Sequence, residues 1–510
     1  MPVLTKKSVA YMLVLVSLLA APLAWTADDA TASATQLLRS GKYDDALRSY
    51  RAIAAEHPES VDAQAGIARA LLKKDAVADA LASAKAATAR VPDAAAIHTV
   101  LGEIYLRKAL IAEAEQEFRK ALKIDSESAR AWLGLGRIAQ LVCKRKTAKT
   151  YYERAYRLDA TDPDVLAYWA GTLKSAAEEI AAIEQYLKLA PFEEPEKLDS
   201  VRRHLEIHKL LGERKLFALA SEYSKTELPL ELLMYDPRRV RGIGLRVSIN
   251  GGQAEKLQLD TGAGGILVGR KLAEKYGVKR LTENKFEGVG DKGPMTGYTG
   301  FADRIRIGSV EFRDCLVHVS DEKAVVDSAG IIGANIFAKF LITIDFPRRV
   351  LRLDPLPPRQ DGGSDDDPYD RVISPDMKDF TPVFVNEHQL LITTKVGEAE
   401  PALFLLDTGG GTNLISTQLA RTVTRVESSS RMKLRGISGS VKDVYEADHV
   451  VWQFARFRQE NLDVASFDFT NMNKNQGLEI SGIMGMPLLG IFQTIAINYR
   501  DGLVDFRYKR

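Results

Sequence analysis

Two hydrophobic textures divide the chain. Between residues 28 and 196, apolar positions, many of them alanine, recur at a helical period. From residue 231 onward Val, Ile, Phe, Thr and Gly fall into short alternating runs, the pattern of many brief strands. Leu245-Arg246-Val247-Ser248-Ile249 alternates apolar and polar and then meets Asn250-Gly251, which predicts a strand and a hairpin turn. Residues 197–230 keep a helical pattern and predict a connector. The β-rich part breaks once, at 356–373, where proline, glycine and acidic residues without an apolar period predict an exposed linker. The expected order is a helical domain at 28–196, the connector, a first β lobe at 231–355, the linker, and a second β lobe at 374–510.

The helical part repeats itself. Ala46, Ala80, Ala114 and Ala148 are spaced by 34 residues (80 − 46). Four residues after each stands Tyr50, Ala84, Phe118 or Tyr152, and seven after stands Ile53, Ala87, Ala121 or Ala155. Twelve before each the residue is small: Ala34, Ala68, Gly102, Gly136. This resembles the tetratricopeptide repeat, and a degenerate fifth unit carries Ala182 and Tyr186. The resemblance implies an all-α solenoid whose small residues sit at close helix crossings and whose concave surface binds a protein partner.

The β part also says one thing twice. Leu257-Gln258-Leu259-Asp260-Thr261-Gly262-Ala263 matches Phe404-Leu405-Leu406-Asp407-Thr408-Gly409-Gly410: an apolar strand runs into Asp-Thr-Gly and a small-residue turn. Glycine-containing hairpin candidates follow at Gly288 and Gly290 and at Gly436 and Gly439. An apolar-apolar-glycine element comes later in each lobe, Ile331-Ile332-Gly333 and Ile483-Met484-Gly485. Next come the strand candidates ending at Asp345 and Asn498, two residues read as structural.

The doubled three-part pattern resembles the aspartic peptidases of the pepsin and retroviral clan, with lobes nearer the retroviral size. It implies an all-β bilobal protease in which Asp260 and Asp407 meet at a pseudo-twofold axis, share a proton and activate water. It also implies that Thr261 and Thr408 lock the loops together and that Gly262 and Gly409 offer N–H groups to the aspartates. Gly288, Gly290, Gly436 and Gly439 would lie in flaps closing over a polypeptide substrate. Such a chain needs no cofactor or metal and holds a complete site as a monomer. Pepsin-type loops carry a hydroxyl after Asp-Thr-Gly. Here Ala263 and Gly410 offer none, so the dyad is expected to titrate higher and to work nearer neutrality. The competing reading is an inactive, peptide-binding adaptor.

Composition narrows the rest. Across 510 residues the formal charge is +2, with both signs mixed, which gives no case for nucleic acid. The two cysteines, Cys143 and Cys315, fall in different domains, which argues against a disulfide. Lys6-Lys7, the apolar run Ser8 to Ala21 and the small residues to Ala27 predict a secretory signal at 1–27, or else an uncleaved N-terminal anchor, and so a periplasmic or extracellular protein. His204 and His208 lie four apart, but no Glu directly follows His204, so the zinc-protease motif is missing and both read as surface residues. No Gly-x-Ser-x-Gly elbow and no phosphate loop is present.

Overall fold

The computed structural model describes residues 27–236, 239–321, 329–364 and 367–508. The basic and apolar stretch expected as a signal therefore lies outside the described residues up to 26. Eleven described helices, from Ala27–Arg39 to Pro195–Leu211, build the N-terminal part. Residue size sets their packing. Ala46, Ala80, Ala114 and Ala148 are buried and allow close approach. The aromatic residues then fill the space beside small ones. A Cβ on Gly102 would meet the Phe118 ring at 2.6 Å, and one on Gly136 the Tyr152 ring at 2.5 Å. Ser60 and Asp162 cap the helices Val61–Lys73 and Pro163–Ala170 by accepting from backbone N–H groups. The array is a tetratricopeptide-type solenoid.

The first helices of successive pairs lie side by side, and charged groups meet between them. Arg69 pairs with Glu103 (2.9 Å), Arg130 with Glu103 (3.1 Å) and Asp162 (2.7 Å), and Lys73 with Asp164 (2.8 Å). Burial pushes the Glu103 carboxyl up, but Arg69 and Arg130 together outweigh it and hold the group below its ordinary value. The charges on this inner face are committed to one another.

The two β lobes follow one plan. In the first, Glu255–Asp260 runs parallel to Gly330–Gly333, which pairs antiparallel with Ile266–Gly269, which runs parallel to Val310–Ser320. In the second, Ala402–Leu406, Gly482–Met484, Leu414–Ser416 and Phe457–Phe467 repeat that order and those directions. Each aspartate thus leaves a central, buried strand.

A six-stranded sheet joins the lobes. At its centre Phe340–Asp345 pairs antiparallel with Phe492–Asn498. Ile342 opposes Ile497, Ile344 opposes Ile495, and Thr343 faces Ala496 between them. Exchanging the lobes exchanges the two isoleucine pairs, so the pseudo-twofold axis passes through the Thr343–Ala496 pair. Asp345 and Asn498 close matching turns, accepting from the N–H groups of Arg348 (3.0 Å) and Asp501 (3.1 Å).

Two boundaries differ from expectation. The connector is helical only to Leu211; Ala218–Leu219 and Thr226–Pro229 are strands paired with Val310–Ser320 and Val350–Pro355. These strands are too short to declare a period and are recruited as sheet edges. The linker, expected to be exposed, docks in its second half. Tyr369 is buried, Arg371 donates its backbone N–H to the Cys143 carbonyl (2.9 Å), and Asp370 accepts from the Thr147 backbone N–H (2.9 Å) and hydroxyl (2.7 Å). The solenoid is fused to the second lobe by packing as well: Leu106, Phe118, Leu135 and Ile138 belong to one apolar core with Leu391, Leu405, Phe467, Phe469 and Ile480. Cys143 and Cys315 are both free and buried.

Candidate active site

The Asp-Thr-Gly loops meet at the pseudo-twofold axis and are tied by reciprocal hydrogen bonds. The Thr261 hydroxyl donates to the Leu406 carbonyl (2.7 Å) and accepts from the Thr408 N–H (3.0 Å). The Thr408 hydroxyl donates to the Leu259 carbonyl (3.0 Å) and accepts from the Thr261 N–H (3.1 Å). Both threonines are about 1 % exposed, so water does not compete for these bonds.

This crossing explains the glycines. A Cβ on Gly409 would lie 2.1 Å from Oδ2 of Asp260, and one on Gly262 would lie 2.9 Å from Cγ of Asp407. Each carboxylate occupies space that any side chain on the opposite glycine would need. The backbone also serves the carboxylates. Asp260 accepts from the N–H groups of Gly262 (2.7 Å) and Ala263 (3.1 Å), and Asp407 from those of Gly409 (2.8 Å) and Gly410 (2.9 Å).

The two carboxyls meet in one place: a Cβ on Gly262 would lie 3.0 Å from Oδ1 of Asp407 and 3.3 Å from Oδ1 of Asp260. Burial, then the charge of Asp407, push Asp260 well above the ordinary carboxylate value, against the pull of the Gly262 and Ala263 N–H groups. Burial also raises Asp407, opposed by its bonds to the Gly409 and Gly410 N–H groups. Both carboxyls are thus shifted toward the protonated form, and because they face each other they titrate as a pair. Chemically, such a pair can take a proton from water with one oxygen and give a proton to a carbonyl with another.

Each loop is braced from the other lobe by a residue that the sequence did not single out. Gln258, 2 % exposed, donates through Nε2 to the Gly409 carbonyl (2.9 Å). His388 donates through Nε2 to the matching Gly262 carbonyl (3.2 Å), which fixes its tautomer. The signal that could have found His388 is a spacing. It stands 19 residues before Asp407 (407 − 388), as Arg241 stands 19 before Asp260 (260 − 241). Both touch a glycine four residues past the other lobe's aspartate. A Cβ on Gly264 would lie 2.8 Å from His388 Nδ1, and one on Gly411 would lie 3.5 Å from Arg241 Cγ. Beside this loop His318 is pushed down to about 4 by burial and then by His388, so it is neutral at neutral pH.

The flap glycines come together across the axis. Ser438 donates its N–H to the Val289 carbonyl (3.1 Å), its hydroxyl accepts from the Gly288 N–H (3.0 Å), and its carbonyl accepts from the Lys292 N–H (3.0 Å). Gly290, at φ +135°, and Gly436 allow this approach: a Cβ on either would come within 2.4 Å of the facing backbone. Val289, Leu434 and Val441 of these segments pack into the apolar core that the solenoid shares with the second lobe.

Comparisons with known proteins agree with this architecture. Models for gag-polyprotein aspartyl protease and for aspartyl protease match residues 245–339 and 392–488, and tetratricopeptide-repeat models match 37–104 and 95–128. The chain carries two retropepsin-like aspartyl-protease domains behind tetratricopeptide repeats. Solved structures similar to part of it include a tetratricopeptide protein of Thermus thermophilus, 24 % identical over 36 % of this chain and 100 % of that one, with a TM-score of 0.29. Others are a tetratricopeptide protein of Parabacteroides merdae (20 % identical, 38 % and 74 % covered, TM-score 0.25) and PilF of Pseudomonas aeruginosa (19 % identical, 36 % and 83 % covered, TM-score 0.26). No curated protein matches the chain.

Proposed function

We propose that the chain is an exported aspartic endopeptidase acting through the Asp260–Asp407 dyad. The supporting observation is the pair itself: a buried Asp260 and a half-buried Asp407 brought together at the axis, each accepting two backbone N–H groups. In the proposed reaction the ionised carboxylate takes a proton from a water whose oxygen attacks the peptide carbonyl carbon. The protonated carboxyl gives its proton to the carbonyl oxygen. The resulting gem-diol collapses as the amide nitrogen receives a proton and the C–N bond breaks, leaving a carboxyl and an amine. No covalent enzyme intermediate forms. The joined flap segments would have to part for a polypeptide to enter.

Export rests on the basic and apolar pattern of residues 1–27, and N-terminal sequencing of the protein recovered outside the cytoplasm tests it. For the repeats we propose protein binding in which the first protein bound is the chain's own second lobe, with any external partner meeting what remains exposed. The decisive experiment incubates the full chain with a denatured protein mixture from acid to neutral pH and maps new termini by mass spectrometry. Cleavage that disappears in Asp260→Asn supports the enzyme. A folded chain that binds peptides and never cleaves them is the adaptor.

A further inference from the structure

The structure places His204 and His208, one turn apart on the helix Pro195–Leu211, against Glu179 of the preceding helix, Ala176–Leu189. Nε2 of His204 is 3.2 Å and Nε2 of His208 is 3.5 Å from the same carboxylate oxygen of Glu179. All three ligand atoms lie within 4.8 Å of one another. The two rings meet edge to face with centroids 4.3 Å apart.

These distances suit a metal. With bonds of about 2.0–2.1 Å to nitrogen and oxygen, ligand atoms at the corners of a tetrahedron are separated by about 3.3 Å. The two imidazole-to-carboxylate distances bracket that edge. Two imidazoles and one carboxylate form a borderline donor set that selects zinc-like divalent ions over magnesium or calcium. A missing Glu directly after His204 rules out the hydrolytic motif on one helix, but it says nothing of a carboxylate arriving from the neighbouring helix. Only the fold brings Glu179 in.

We propose that Glu179, His204 and His208 bind one zinc-class ion, with water completing the shell, as a clip between the last two helices of the solenoid. Its position gives it a structural role. The opposite side of the His204 helix is fixed to the first lobe through Glu206, which accepts from the Thr282 hydroxyl. Thr282 lies in the strand Lys279–Phe286, which runs directly into the flap segment of that lobe. The clip would tie the solenoid's end to the base of that flap.

The test uses the full chain without a polyhistidine tag, stripped with chelator and titrated with Zn2+ by calorimetry and with Co2+ by absorption. The expected result is one equivalent bound, visible tetrahedral Co2+ bands, and a melting temperature that rises with Zn2+. His204→Ala, His208→Ala and Glu179→Gln should each weaken binding at least about tenfold and abolish the bands, with an unchanged circular-dichroism spectrum before metal is added. Absence of stoichiometric binding in the wild-type chain overturns the proposal. So does binding that persists in the His204→Ala/His208→Ala double variant. Neither readout depends on peptidase activity.

Discussion

The loop at Asp260 is braced by His388, which is partly exposed; the loop at Asp407 is braced by Gln258, which is buried. The loops themselves match residue for residue in their threonine bonds and their N–H contacts to the aspartates. Symmetry is kept where backbone geometry enforces it. It is lost where a side chain merely has to supply a donor, because an amide and an imidazole do that equally well. The lobes differ again in their neighbours. The second shares an apolar core with the solenoid, whereas the first reaches that core with Val289 and meets the solenoid through contacts such as Thr282 with Glu206.

That last difference carries the largest expected effect. A chain beginning near Thr226 would expose Leu391, Leu405, Phe467, Phe469 and Ile480 of the second lobe. We expect it to aggregate or to lose second-lobe structure, and hydrogen exchange read lobe by lobe checks this. A soluble fragment with both lobes protected would make the solenoid dispensable for folding.

Next come the two glycines. Gly409→Ala forces a Cβ to 2.1 Å from a carboxylate oxygen, while Gly262→Ala meets its carboxylate at 2.9 Å. Gly409→Ala should cost about 1–3 kcal/mol of overpacking and remove activity, and Gly262→Ala should cost less. Urea melts and turnover rank them, and the reverse order would show that the loops relax differently from the geometry described.

The braces should differ more gently. Gln258→Ala removes a buried donor from the Gly409 carbonyl, at about 1–3 kcal/mol. His388→Ala admits water to the Gly262 carbonyl, at about 1 kcal/mol or less. The expected split lies in kcat more than in KM, since the braces position the dyad. Equal losses would remove the argument from exposure.

A smaller effect separates the lobes by pH. His318 lies beside the first loop only, and burial depresses its folded pKa from 6.5 to about 4. A depressed imidazole is neutral in the fold. Its contribution is fully present above about 6.5 and is lost as pH falls toward 4. Wild type should lose stability across that window, and His318→Gln should flatten the loss. Parallel stability curves for the two proteins would contradict this.

The sequence carried the architecture because its signals were periodic or doubled. Alanines every 34 residues and two Asp-Thr-Gly phrases each imply a structure without help from distant residues. Tyr369 and Asp370 could not be read in this way: the Tyr369 carbonyl accepts from the Arg145 N–H and the Asp370 carboxylate from Thr147, more than 220 residues earlier (369 − 145; 370 − 147). Gln258 looked like the polar side of an ordinary strand, and only the approach of the second lobe gives its amide a partner. Glu179 likewise joins His204 and His208 only when two helices pack.

The central claim is that Asp260 and Asp407 act as one proton-sharing unit. Asp260→Asn and Asp407→Asn, assayed on the same peptide over the same pH range as wild type, test it most directly. Each should lose roughly 10³-fold or more in kcat, as members of one unit do, and by similar amounts. Melting temperature near neutral pH should hold or rise, because a neutral amide removes the cost of ionising a raised, buried carboxyl. If either single variant keeps near-normal turnover while folded, the two aspartates do not share the chemistry.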